Sequence, residues 1–271
     1  MGDIGWYITS HRKTHAALTV FLSLLLILIA SAAVVGGCGK KISLEYESAP
    51  DLAIVKAESD GGLPHPGDDL FPRFQLFGDG RVIKYQGEPN YRGIFVQGRL
   101  DERDIGVLLQ RISDTGFFKL KDEYRNPNLT DATYSQISVD LVETEKTVRV
   151  WMMMNVREFD AAYDLIMDYP LGEVTEYVPE KGYLVVARYP MEAKENQNSL
   201  DPNSEIYQLL PDTATLIQAA DSNTAVAVNG ATFLKIKKYE NEQERRGLYI
   251  SQPDSVMMVY PVYEPRTAKK P

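Results

Sequence analysis

The chain has 271 residues, and its 44% hydrophobic and 10% aromatic content places it with globular proteins, away from disorder. Residues 1–37 hold two of the 29 basic and one of the 38 acidic side chains, so residues 38–271 carry a formal charge of about −10. Phosphate contacts need a basic footprint, so nucleic acid is not expected as a partner.

The first organised segment is Ala16–Val35, twenty residues without a charge, preceded by His11, Arg12, Lys13 and His15. Basic residues before an apolar run mark signal peptides and N-terminal anchors alike, with the chain beyond the run exported. Twenty residues are long enough to span a bilayer, so length does not choose between the two. The ending does. Val35-Gly36-Gly37-Cys38 resembles the bacterial lipobox: an aliphatic residue, two small residues and then a cysteine. The resemblance implies that Val35, Gly36 and Gly37 are recognised by a signal peptidase. It further implies that Cys38 carries a diacylglyceryl group and becomes the first residue of the mature protein. The pattern has Val35 where Leu is commonest and Gly36 where Ala or Ser is commonest. Cys38 is also the sole cysteine, and a lone thiol in an exported protein needs a reason other than a disulfide. Two acyl chains, at ~0.8 kcal/mol per buried CH₂, hold a protein where one holds it marginally. The retained alternative is an uncleaved transmembrane helix carrying a sensor-like extracellular domain.

Beyond Cys38, residues 38–70 read as a tether with a short strand, Leu52–Glu58, between segments punctuated by Gly, Pro and acidic residues. Arg73–Gln86 reads as a β-hairpin closed by a two-residue turn at Asp79-Gly80, both with positive φ. That turn pairs Leu76 with Ile83 and Phe74 with Tyr85 on one apolar face, and Gln75 with Lys84 on the other. Ile94–Leu100 reads as a strand. Asp101 caps a helix to about Asp114, with Ile105, Leu108, Leu109 and Ile112 as its stripe and Gly116 as its stop. A second hairpin pairs Tyr134–Leu141 with Thr147–Met154, setting Leu141 against Val148, Val139 against Val150 and Ile137 against Met152. Asn155 and Glu158 form a capping-box pattern before a stripe of Phe159, Ala162, Tyr163 and Ile166 that ends before Pro170.

After Pro170 four strands are expected, at Tyr183–Tyr189, Ala225–Val228, Thr232–Lys238 and Val256–Tyr263. Glu192–Ser204 and Glu240–Arg246 read as polar loops. The fold class that follows is α+β, with antiparallel hairpins, two amphipathic helices packed on a sheet and a β-rich C-terminal part. The expected division is a signal segment over 1–37, the tether over 38–70, an α+β domain over 71–170 and a β-rich region over 171–271.

The run Phe74-x-Leu76-x-Gly78-Asp79-Gly80-x-Val82-x-x-Tyr85, with Gly116-Phe117-Phe118-x-Leu120, Tyr124, Thr130-Asp131 and Thr147-Val148-x-Val150, is similar to a domain of uncharacterised bacterial envelope lipoproteins. The likeness spans about residues 70–168. It implies location and fold, with no activity attached.

Chemistry is sparse. Most nucleophilic triads use a histidine, and beyond the apolar segment the only one is His65, set between Pro64 and Pro66. No Gly-x-Ser-x-Gly elbow is present, and the Cys and His clusters of a zinc site are missing. Asp68-Asp69, Asp101-Glu102-Asp104 and Asp122-Glu123 are the acids from which a hydrolase would draw paired carboxylates. Asn126–Asp131 offers oxygen ligands without the EF-hand spacing, and reads first as a turn. Gly78-Asp79-Gly80 is too short for a phosphate loop. The tyrosines and Trp151 suit a groove for sugar or peptide, though such residues are more often core. The expectation is a lipid-anchored, non-enzymatic protein without cofactor or metal, on the cell membrane or outer membrane. Its partners are then membrane lipid through Cys38 and an envelope protein or cell-wall ligand. A lipid-anchored hydrolase using paired carboxylates is the alternative.

Overall fold

A computed structural model describes residues 42–61, 69–87, 93–129, 132–190, 199–243, 247–252 and 255–263. Ser43–Pro271 form one compact unit. The architecture is α+β, built on two sheets.

The larger sheet has eight strands in the order β5-β7-β6-β1-β2-β3-β4-β8. They are β1 (Ala53–Gly61), β2 (Phe74–Phe77), β3 (Arg81–Gly87), β4 (Gly93–Arg99), β5 (Glu123–Tyr124), β6 (Thr133–Leu141), β7 (Thr144–Trp151) and β8 (Thr175–Glu176). Only the short β5–β7 pair is parallel. The strand expected at Leu52–Glu58 is β1, which lies inside the sheet between β6 and β2, with Ile54, Val55 and Ala57 fully buried.

One face of this sheet carries Val55, Ala57, Phe74, Leu76, Val82, Ile137, Val139 and Val148, all buried. Helices α1 (Glu102–Asp114) and α2 (Arg157–Met167) supply the apolar partners: Ile105, Leu108, Leu109 and Ile112 from α1, and Phe159, Ala162 and Ile166 from α2. The α1 cap is the expected one. Asp101 Oδ1 accepts from the Asp104 amide at 2.8 Å, and Gly116 is left-handed at φ 89°. The α2 capping box does not form: Val156 occupies the cap position, with no side-chain bond to the helix.

Both hairpin registers differ from expectation, with different consequences. In the first, Leu76 pairs with Val82 and Phe74 with Lys84. The loop is three residues, Gly78 to Gly80, and Gly80 alone has positive φ, at 87°. A three-residue loop ending in a left-handed glycine shifts the pairing by one, and a one-residue shift moves side chains to the opposite face. Ile83 therefore leaves Leu76 and faces the second layer with Phe95. In the second hairpin Ile137 pairs with Val148, and Leu141 with Thr144 across a tight turn at Val142-Glu143. That shift is even, so the apolar face survives while every pair partner changes.

The smaller sheet has the order β10-β9-β12-β11, from β9 (Lys181–Pro190), β10 (Ala225–Asn229), β11 (Leu248–Ser251) and β12 (Ser255–Val262). Helices α3 (Glu205–Leu209), α4 (Thr213–Ser222) and α5 (Gly230–Glu242) accompany it. The strand expected at Thr232–Lys238 is the middle of α5, capped by the Asn229 side chain on the Thr232 amide at 2.9 Å. Its Ile236 packs with Leu184, Met257 and Val259 of the small sheet. Its Phe233 and Leu234 pack with Ile83 and Phe95 of the large one. A helix buried on two sides has no single apolar stripe, so its sequence lacks the periodicity of an amphipathic helix. Glu240 is likewise no part of a solvated loop: it is buried in α5 against Lys237.

Candidate functional site

The largest opening among the described cavities lies where β6 begins and β7 ends, beside the first turn of α2. It encloses about 230 Å³ and is lined by Tyr134, Val150, Trp151, Met152, Met154, Phe159 and Asp160, among others. Sequence alternation explains the mixture. Val150 and Phe159 belong to the buried core, whereas Tyr134 and Trp151 belong to the opposite face of the sheet and are half-buried.

The lip of the groove is a tight turn. The Met152 amide donates to the Thr133 carbonyl at 2.7 Å and the Met154 amide to the Trp151 carbonyl at 3.0 Å. Met153 between them has φ 69°, a left-handed conformation that costs a non-glycine residue roughly 1–2 kcal/mol. Met152 and Met153 are 55% and 81% exposed.

The aromatic wall is held by polar partners. The Tyr134 and Trp151 rings lie 5.2 Å apart. Trp151 Nε1 donates to Glu123 Oε1 at 2.9 Å, and the Arg125 guanidinium sits 4.7 Å from the Trp151 ring. Arg149 lies 4.4 Å from the Tyr134 ring and donates twice to Gln136 Oε1, which orients Gln136 to donate to Glu58. Asp160 faces the groove with its carboxyl held above the usual range, first by partial burial and then by Asp164.

A second, smaller cavity of about 40 Å³ lies between the layers, lined by Asp69, Phe71, Tyr85, Phe95, Lys237 and Tyr263 among others. Its residues are mutually engaged. The Tyr263 hydroxyl accepts from the Phe95 amide at 3.3 Å, and burial pushes its ionisation well above the ordinary value. Asp69 accepts from the amides of Phe71 and Tyr263.

The lipobox-like residues Val35, Gly36, Gly37 and Cys38 lie outside the described residues, as do His65, Asp68, Thr130 and Asp131. The remaining acids are dispersed. Asp101 caps α1, Asp122 pairs with Lys146 at 2.5 Å and Glu123 holds the Trp151 indole. Asn126 accepts the Asn128 amide in a turn of the kind its composition implies. Among the described residues, no three His, Cys, Asp or Glu side chains come together to hold a metal ion, and no helix is long and apolar enough to cross a membrane.

Trp151 lines a groove, as a side chain of its type suits. The sequence places the methionines beside it at the end of a strand with Met152 opposite Ile137, whereas in the structure Ile137 pairs with Val148 and the chain turns at Met153. The available signal was the run Trp151-Met152-Met153-Met154, three flexible apolar residues that a two-residue alternation would not place on one face. Compared with known proteins, the chain matches no family model, no curated protein and no solved structure.

Proposed function

We propose that the chain is a lipid-anchored, non-catalytic binding protein, held on the outer side of a membrane through Cys38 and presenting the groove at Trp151–Met154 to a component of the envelope. The observation that carries the binding half is Met153, 81% exposed at φ 69° on the lip of that groove. An apolar side chain kept in water on a strained turn loses free energy twice, and such features cluster at recognition sites. The anchoring half is supported by Val35-Gly36-Gly37-Cys38 after the twenty-residue apolar run. The lipoprotein resemblance of residues 70–168 points the same way.

Mass spectrometry of the membrane-extracted protein tests the anchor. The expected species lacks residues 1–37 and carries acyl chains on Cys38, and Cys38→Ser abolishes that processing. An intact Met1 with a free thiol sinks the lipid anchor in favour of an uncleaved helix.

A further inference from the structure

Methionine is ordinarily a buried residue, yet Met152 and Met153 stand largely in water with Met154 half-buried beside them. The left-handed backbone of Met153 turns the chain sharply, and the residues on either side of it both line the groove. Met152 and Met154 thus both line one opening of about 230 Å³ whose other walls include Tyr134, Trp151 and Phe159.

The chemistry of that donor set is narrow. A thioether is neutral, soft and a poor hydrogen-bond acceptor, and it favours Cu(I) over Ca²⁺ and Mg²⁺. Hard and borderline ions find no cluster of three His, Cys, Asp or Glu among the described residues. The charges nearby suit one positive charge rather than two. Asp160 lines the groove, Glu123 holds the Trp151 indole and Arg125 lies over the same ring. We propose that Met152 and Met154 bind a soft monovalent metal ion, Cu(I) or its chemical match Ag(I), in this groove. The proposal rests on the reading of this groove as a binding site given above and goes beyond it, because a metal ion takes the place of an envelope component as the ligand.

The test uses the full-length Cys38→Ser chain in detergent, which removes the only thiol and leaves the lipid-anchor question outside the assay. Under anaerobic conditions Cu(I) is titrated in competition with bicinchoninate. Ag(I) is titrated separately while the ¹³C-labelled methionine methyl signals are followed. One ion per chain and shifts of the Met152 and Met154 methyls are expected. Losing a ligand should cost at least what losing an outer-shell partner does, so Met152→Leu with Met154→Leu should weaken binding about tenfold or more. Met167→Leu, at the end of α2 and away from the groove lining, should leave the affinity unchanged, and both variants should melt with the parent. Leucine keeps apolar bulk and removes only the sulfur. Unchanged affinity in the double variant, or unshifted Met152 and Met154 methyls, overturns the metal site. Because the assay omits Cys38, such a failure leaves the lipid-anchor reading standing on its own mass measurement.

Discussion

Lys237 Nζ lies 2.8 Å from Glu240 Oε2 in the layer shared by the two sheets, with the side chains only 10% and 6% exposed. The other Glu240 oxygen accepts from the Gly247 amide at 2.6 Å, so this carboxylate ties α5 to the start of β11. Breaking a buried pair strands a charge. Glu240→Ala is expected to destabilise by about 3–5 kcal/mol, whereas the double change Lys237→Met, Glu240→Leu recovers most of that loss. Urea unfolding of the three proteins decides it, and a Glu240→Ala loss under about 1 kcal/mol would show that the pair is dispensable.

Two glycines should respond with opposite sign to the same methyl group. A Cβ on Gly182 would lie 2.0 Å from the Phe233 ring, where α5 crosses β9. Gly182→Ala is expected to cost about 1–3 kcal/mol by overpacking. A Cβ on Gly106, within α1, meets nothing within 4 Å. Gly106→Ala should stabilise by about 0.5–1 kcal/mol. Thermal melts that order the two the other way would contradict the placement of α5 against β9.

Met153 offers a test of strain. Its φ of 69° is free to glycine. Relief of roughly 1–2 kcal/mol, offset by the entropy glycine regains on unfolding, leaves Met153→Gly about 0.5–1 kcal/mol more stable. A clear loss of stability in chemical denaturation would mean the side chain makes contacts that outweigh the strain.

A pH effect is expected at Asp212, the cap of α4. Its Oδ1 accepts the Thr215 amide at 2.9 Å and its Oδ2 the Thr215 hydroxyl at 2.7 Å. These bonds favour the ionised form and hold the carboxyl below its ordinary value of 3.8. The folded state therefore holds this proton more weakly than the unfolded chain. The stabilisation is present above the unfolded value and is lost as pH falls through the lower, folded one. Asp212→Ala should lower the melting temperature near neutrality, with a gap that narrows below about pH 4. A gap of constant size across that range would remove the ionised cap as its cause.

Locally encoded features were legible in the amino-acid order. Asp101, the stripe from Ile105 to Ile112 and Gly116 define α1 because capping and 3.6-residue periodicity act within one turn of the chain. The edges of β9, β10 and β12 followed from β-branched and aromatic runs bounded by turn residues. By the same logic, the apolar run Ala16–Val35 with Cys38 three residues behind it is a purely sequential signal, and so is the membrane attachment proposed from it.

What required the tertiary structure was everything set by a second partner. The identity of Val82 rather than Ile83 as the mate of Leu76 depended on whether one or two residues of the Gly78–Gly80 loop turned left-handed. Neither local propensity nor a single apolar face determines that count. The α5 segment alternated like a strand because it buries Phe233 and Leu234 on one layer and Ile236 on the other, with Lys237 and Glu240 neutralising each other inside. The groove at Trp151–Met154 arose only when the end of β7 met α2. Methionine lacks the capping, charge or turn chemistry that announces a site along the chain, so three of them acquire a meaning only from the walls around them.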